Sequence, residues 1–159
     1  MKADFRPAEP EDTALLLAFI RALAEYERML PQVVATEDTL REWLFEKRAA
    51  EAFFVLEGER EVGFALYFYN FSTFLGRAGI YLEDLFVLPE YRMKGYGREI
   101  LRQLAKIAHA RGCGRLEWAC LDWNSPSIDF YRSLGAEPLN EWTVYRLAGD
   151  ALEQLADSE

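Results

Sequence analysis

The sequence predicts an α/β or α+β fold, a mixed sheet with helices packed on its faces. Three observations carry this reading. Helical apolar periodicity opens the chain, strand-like runs fill its middle, and a strand–helix–strand order closes it. The 159 residues are 51% hydrophobic, enough to bury a core, and no Pro/Gly/Ser-rich linker, repeat or low-complexity tract divides them. Residues 1–159 therefore read as a single domain.

Each element has a local reason. Residues 3–6 form a short first strand punctuated by Pro7 and Pro10. Asp12 or Thr13 caps a helix whose Leu15, Leu16, Phe19, Ile20 and Leu23 share one face, running to about Met29 before Pro31. Thr36 caps a second helix carrying Leu40, Trp43 and Leu44. Residues 53–56 and 62–69 are strand-like runs joined by a short turn at Gly58, which predicts a hairpin. Residues 80–88 make a third strand, interrupted by Glu83-Asp84 and ended by Pro89. Ile100, Leu101, Leu104, Ile107 and Ala108 mark an amphipathic helix closed by Gly112 and Gly114. Residues 115–121 read as a strand, 125–134 as a short helix and 143–147 as a final strand.

Composition removes several functions. Eighteen Lys+Arg against 27 Asp+Glu leave a formal charge of −9, which repels nucleic acid and favours cationic ligands. One histidine, His109, and two cysteines, Cys113 and Cys120, leave no His-rich zinc site, no Cys-x-x-Cys pair and no nucleophile elbow, so no metal is expected. Two cysteines make no disulfide framework, and the amino terminus is not a signal peptide. The expected setting is cytoplasmic. No apolar run approaches the ~20 residues of a membrane span, so no membrane partner is expected.

The stretch from Val87 to Arg98 lies between a strand and a helix. A loop there aims free backbone N–H groups at an anion, and the helix dipole adds to the attraction. Gly95 and Gly97 let a phosphate approach the backbone, while Arg92, Lys94 and Arg98 supply positive charge. The direct reading is a diphosphate ligand held by Arg92, Met93, Lys94, Gly95, Tyr96, Gly97 and Arg98. A Walker loop is excluded because no Gly-Lys-Ser/Thr follows, and a dinucleotide fingerprint because Ile100 stands where a small residue belongs.

Arg-x-x-Gly-x-Gly after Val-x-Pro-x-x-Arg resembles the acetyl-CoA loop of the GNAT superfamily of N-acetyltransferases. Leu23-Ala24-Glu25-Tyr26-Glu27, residues 81–87 (YLEDLFV) and residues 123–131 (WNSPSIDFY) are similar to the spermidine/spermine acetyltransferase branch. Leu121-Asp122-Trp123-Asn124 is closer to its thialysine-acetylating relatives. The resemblance implies a mostly antiparallel sheet with one splayed parallel strand pair, formed here by residues 80–88 and 115–121. It implies acetyl-CoA as cosubstrate, its pantetheine arm paired with Leu85, Phe86 and Val87 and flanked by Asn124, Ser127 and the short helix after them. It also implies a homodimer, with some of Tyr67, Phe68, Tyr69 and Phe71 at the interface.

Two catalytic residues follow from the resemblance. Tyr131 matches the tyrosine near the cofactor sulfur, where a phenol of pKa ~10 can hydrogen-bond or protonate the departing thiolate. Glu83 matches a glutamate that contacts the cationic substrate and helps take its proton. Asp84 is expected on the opposite face, because strand side chains alternate, with a structural or interface role. Tyr26, Glu27, Glu83, Asp122 and Glu141 are the expected substrate contacts. The expected activity is direct acetyl transfer to a small cationic amine such as a polyamine, thialysine or a related diamino compound. Acetylation of protein or peptide amino termini, and a non-catalytic acyl-CoA sensor, are the alternatives. Retention of Tyr131 and Glu83 argues against the sensor, which needs neither.

Overall fold

The computed structural model describes residues 2–159. The chain divides into two compact units, Met1–Leu121 and Asp122–Glu159. In the first, five strands lie in chain order across one sheet: β1 (Asp4–Pro7), β2 (Glu51–Glu57), β3 (Arg60–Ser72), β4 (Arg77–Val87) and β5 (Leu116–Trp118). The first four are antiparallel to their neighbours, and β4 and β5 run parallel. The expected mixed sheet is therefore present. Its parallel pair is shorter than expected, since β5 covers three residues rather than 115–121.

Alternation along the strands builds two faces. Phe54, Phe64, Leu66 and Phe86 point to one, where Leu16, Phe19 and Leu23 of α1 (Thr13–Tyr26) meet them. The Phe19 ring stacks on Phe64 at 5.4 Å and lies 6.0 Å from Phe54. Truncating such a residue to alanine costs ~3–5 kcal/mol. Val55, Ala65 and Leu82 point to the other face, which α3 (Tyr96–Ala110) covers with Ile100, Leu101 and Leu104.

Helix α1 stops at Tyr26, three residues before the expected end. Arg28 adopts a left-handed backbone, φ 63°, and Met29 N–H donates back to the Ala24 carbonyl at 2.7 Å. That closure satisfies the last turn and ends the helix ahead of Pro31. Thr36 caps α2 (Glu37–Arg41) as expected, its hydroxyl accepting from Thr39 N–H at 3.1 Å, and the chain continues into a π-turn over Glu42–Glu46.

The second unit holds α4 (Ser125–Ser133) and α5 (Gly149–Asp157). Asn124 caps α4 by accepting from Ser127 N–H at 3.4 Å, and Pro126 sits in the first turn, where its missing N–H is no loss. The strand expected over residues 143–147 does not form. Its apolar pattern suits a strand, but a strand exists only when its backbone is paired. Helix α5 was not anticipated from the sequence.

Candidate active site

The parallel pairing of β4 with β5 runs from Ile80↔Leu116 to Leu82↔Trp118 and then stops. From Glu83 onward β4 remains paired to β3 alone, with Ala65↔Leu85, Phe64↔Phe86 and Gly63↔Val87. The backbone groups of residues 83–87 that face away from β3 thus find no strand partner. That opening can accept an extended amide-bearing ligand such as pantetheine. Gly63 makes the β3 side unusually close: a Cβ there would lie 2.6 Å from the Phe86 carbonyl oxygen.

A second bulge-related feature shapes the same spot. The register shifts between Leu66 and Tyr67, so that Tyr67 opposes Leu82, Leu66 opposes Asp84, and Glu83 is the extra residue. The bulge leaves Asp84 on the face of Phe86 and moves Leu82 to the opposite one. Asp84, opposite Leu66 and two residues from Phe86, lies mostly buried on the face that α1 covers. Its carboxyl is pushed up from 3.8 to about 7, first by burial and then by Glu83 and Glu27. Glu27, just past the end of α1, is likewise raised by burial and by Glu83. Glu83 thus acts electrostatically on both Glu27 and Asp84, so three carboxylates share the region where β4 and β5 part. A partly buried anionic cluster of this kind is discharged by protons or by a cationic ligand.

The glycine-bearing loop leaves β4 through a 3₁₀ turn over Pro89–Tyr91 and enters α3. Met93 (φ 64°) and Gly95 (φ 90°) are both left-handed, and Gly95 is the N-cap. Glu99 N–H is bonded to the Gly95 carbonyl at 3.1 Å, so the N–H groups of Tyr96, Gly97 and Arg98 precede the first helical bond and lie at the positive end of α3. This backbone suits an anion. The side chains divide. Arg98 and Met93 are exposed. Lys94 Nζ lies 3.4 Å from Glu57 Oε1 and 5.1 Å from the Tyr91 ring. The Tyr96 hydroxyl donates to the same Glu57 oxygen at 2.9 Å, and burial, then this bond, push its phenol up to about 12. Arg92 turns away from the loop: its Nε donates to the Val87 carbonyl at 2.9 Å, and its guanidinium lies 4.7 Å from the Tyr26 ring and 5.1 Å from Phe86. Sequence reasoning missed Glu57, which carries no motif, and the proximity of Asp84 to Glu27, at which only the interruption of an apolar strand hinted.

The remaining expected site residues lie in the second unit. Tyr131 is on α4, half-buried, its ring 5.6 Å from Phe130. Asn124 is buried as the α4 cap, Ser127 donates to it, and Asp122 and Glu141 are exposed in turns. A cavity of about 670 Å³ in the first unit, bordered by Phe53, Tyr67 and Ile107, is lined by none of the expected catalytic, cofactor or substrate residues.

Similarity to known proteins agrees with this arrangement. Residues 17–136 match the model of the acetyltransferase (GNAT) family. The chain is 40% identical to a thialysine N-epsilon-acetyltransferase of Bos taurus, with 95% of each chain covered. It is 32% identical to an L-ornithine N5-acetyltransferase of Arabidopsis thaliana, with 98% of this chain and 88% of that one covered. An integron cassette protein from V. cholerae superposes with a TM-score of 0.81 at 29% identity, covering 99% of both chains. A strand pair that parts, an anion-suited loop at a helix start and homology over nearly the whole length converge on one conclusion: the chain belongs to the acetyltransferase (GNAT) family, enzymes that move an acetyl group from acetyl-CoA to an amine.

Proposed function

We propose that this chain acetylates a primary amine of a small diamine or diamino acid, the class that includes thialysine, ornithine and the polyamines. The observation that carries the proposal is the carboxylate centre of Glu27, Glu83 and Asp84 beside the opened strand pair. A substrate with two ammonium groups is drawn to this centre by both charges, and the nitrogen that yields its proton there is the one acetylated. The names of the relatives support the same class.

Acetyl-CoA supplies the acetyl thioester. Leu85, Phe86 and Val87 would hold its pantetheine amides, and the backbone from Met93 to Arg98 its diphosphate, with Lys94 and Arg98 as counter-charges. The amine reaches the enzyme as an ammonium and attacks only after losing a proton. Glu83 or Asp84 takes that proton, and the near-neutral Asp84 carboxyl is suited to the exchange. Tyr26, Asp122 and Glu141 complete the substrate contacts. The Trp-Asn-x-Pro-Ser-Ile-x-Phe-Tyr frame supports Asn124 and Ser127 as cofactor neighbours and Tyr131 as proton donor to the departing thiolate.

We further infer a single functional domain, a cytoplasmic setting and a homodimer. The tip of the β3–β4 hairpin exposes Phe71, Phe74 and Leu75, an apolar surface that a second copy would cover. Light scattering should return about twice the 18.4 kDa chain mass.

A thiol-release assay with acetyl-CoA tests the function. Thialysine, ornithine, lysine, spermidine and a short peptide with a free amino terminus are compared by kcat/KM. A diamine or diamino acid should lead by at least tenfold, about 1.4 kcal/mol of discrimination. Equal or better use of the peptide refutes the proposal.

A further inference from the structure

We infer that Arg92 is a positioning residue that ties the amine-binding end of α1 to the cofactor-binding end of β4, and not a ligand of the diphosphate. The inference rests on the function proposed above. Its basis is where the guanidinium goes. Arg92 follows the Pro89–Tyr91 turn with extended backbone, φ −72° and ψ 163°. The side chain folds back, donates from Nε to the Val87 carbonyl at 2.9 Å and rests against the rings of Tyr26 and Phe86.

Those three contacts join two parts of the site. Phe86 and Val87 end β4, where the pantetheine amides would pair. Tyr26 is the last residue of α1 and adjoins Glu27, a member of the carboxylate centre. Arginine suits the task because its plane stacks on rings while Nε still donates. Lysine offers neither a plane nor a donor midway along the chain. The Nε bond and the two ring contacts hold the guanidinium against the ends of β4 and α1.

The coupling follows. Arg92, seated against the Tyr26 ring, limits motion at the end of α1. A cofactor that pairs with residues 85–87 fixes the Val87 carbonyl. Through Arg92 it then fixes Tyr26 and the approach to Glu27. Cofactor binding should therefore order the amine side before any amine arrives.

The test uses the full chain and three variants, Arg92→Gln, Arg92→Lys and Tyr26→Leu. Hydrogen exchange of residues 24–29 is followed with and without coenzyme A, a readout that does not depend on which amine is the substrate. Coenzyme A should slow exchange there in the wild type and fail to do so in all three variants. Calorimetry should give coenzyme A dissociation constants within about twofold of wild type. Amine kcat/KM should fall about tenfold in each single variant, with the Arg92→Gln/Tyr26→Leu double variant no worse than either alone. Lysine should not rescue. A tenfold weaker coenzyme A affinity in Arg92→Gln with unchanged amine KM makes Arg92 a diphosphate ligand and overturns the inference. So does protection of residues 24–29 that survives the substitution, or strict additivity of the two changes. Should the wild type prefer a peptide, the substrate proposal fails while the exchange result still decides this one.

Discussion

Replacing Asp84 by asparagine should stabilise the protein increasingly as pH rises. The side chain keeps its shape and loses its charge. In the folded chain the carboxyl holds its proton to about 7, against 3.8 for the free group. Between those values the folded state binds more protons than the unfolded state, so stability falls with rising pH, and the penalty is complete above about 7. At pH 5 little more than one of the roughly three units has been lost, and at pH 8 nearly all of it. The gap between variant and wild type should therefore widen by roughly 2–3 kcal/mol from pH 5 to pH 8. For a chain of this size that corresponds to roughly 4–12 °C in Tm. Thermal melts followed by circular dichroism at half-unit pH steps, without ligand, measure it. Glu27 shifts in the same direction but is present in both proteins, so its contribution largely cancels in the difference. A variant-minus-wild-type Tm difference constant to 1 °C across this range would show that Asp84 ionises freely, and the partly buried carboxylate centre would go with it. The same variant should raise the amine KM, since part of the negative centre is gone.

Gly63→Ala should lower Tm and raise the acetyl-CoA KM, because its Cβ meets the Phe86 carbonyl oxygen at 2.6 Å and must displace β4. Overpacking of this kind costs ~1–3 kcal/mol, and a wild-type Tm with unchanged KM would show that the strand yields freely. Gly95→Val puts a branched residue at φ 90° on the helix entry, so acetyl-CoA KM should rise well before amine KM does. Unchanged cofactor kinetics would reduce the loop to a helix start. Tyr131→Phe should cut single-turnover acetyl transfer ~100-fold, the low end for general acids, with acetyl-CoA affinity intact. A rate within twofold of wild type would leave Tyr131 a packing residue beside Phe130.

Much of this protein was legible in local sequence because its determinants are local. The 3.6-residue spacing of Leu16, Phe19 and Leu23 makes α1, Thr36 caps α2, and left-handed Gly58 (φ 62°) turns the β2–β3 hairpin. The left-handed N-cap at Gly95 was likewise visible as a glycine between a strand and a helix. What the tertiary structure alone decided depends on partners distant in sequence. Alternation puts Asp84 on the face of Phe86, but the bulge that follows arises from pairing with β3, some eighteen residues earlier, and only packing of α1 on that face brings Glu27 near Asp84. The loop's charge pattern says nothing of where its side chains turn. Arg92 is held by the Val87 carbonyl and Tyr26, and Lys94 shares Glu57 with Tyr96, because a charged side chain takes the partner that packing sets beside it. Residues 143–147 carry a strand's pattern and form none. Side-chain periodicity is a property of one segment, whereas a strand's backbone hydrogen bonds belong to two, and no single segment encodes its neighbour.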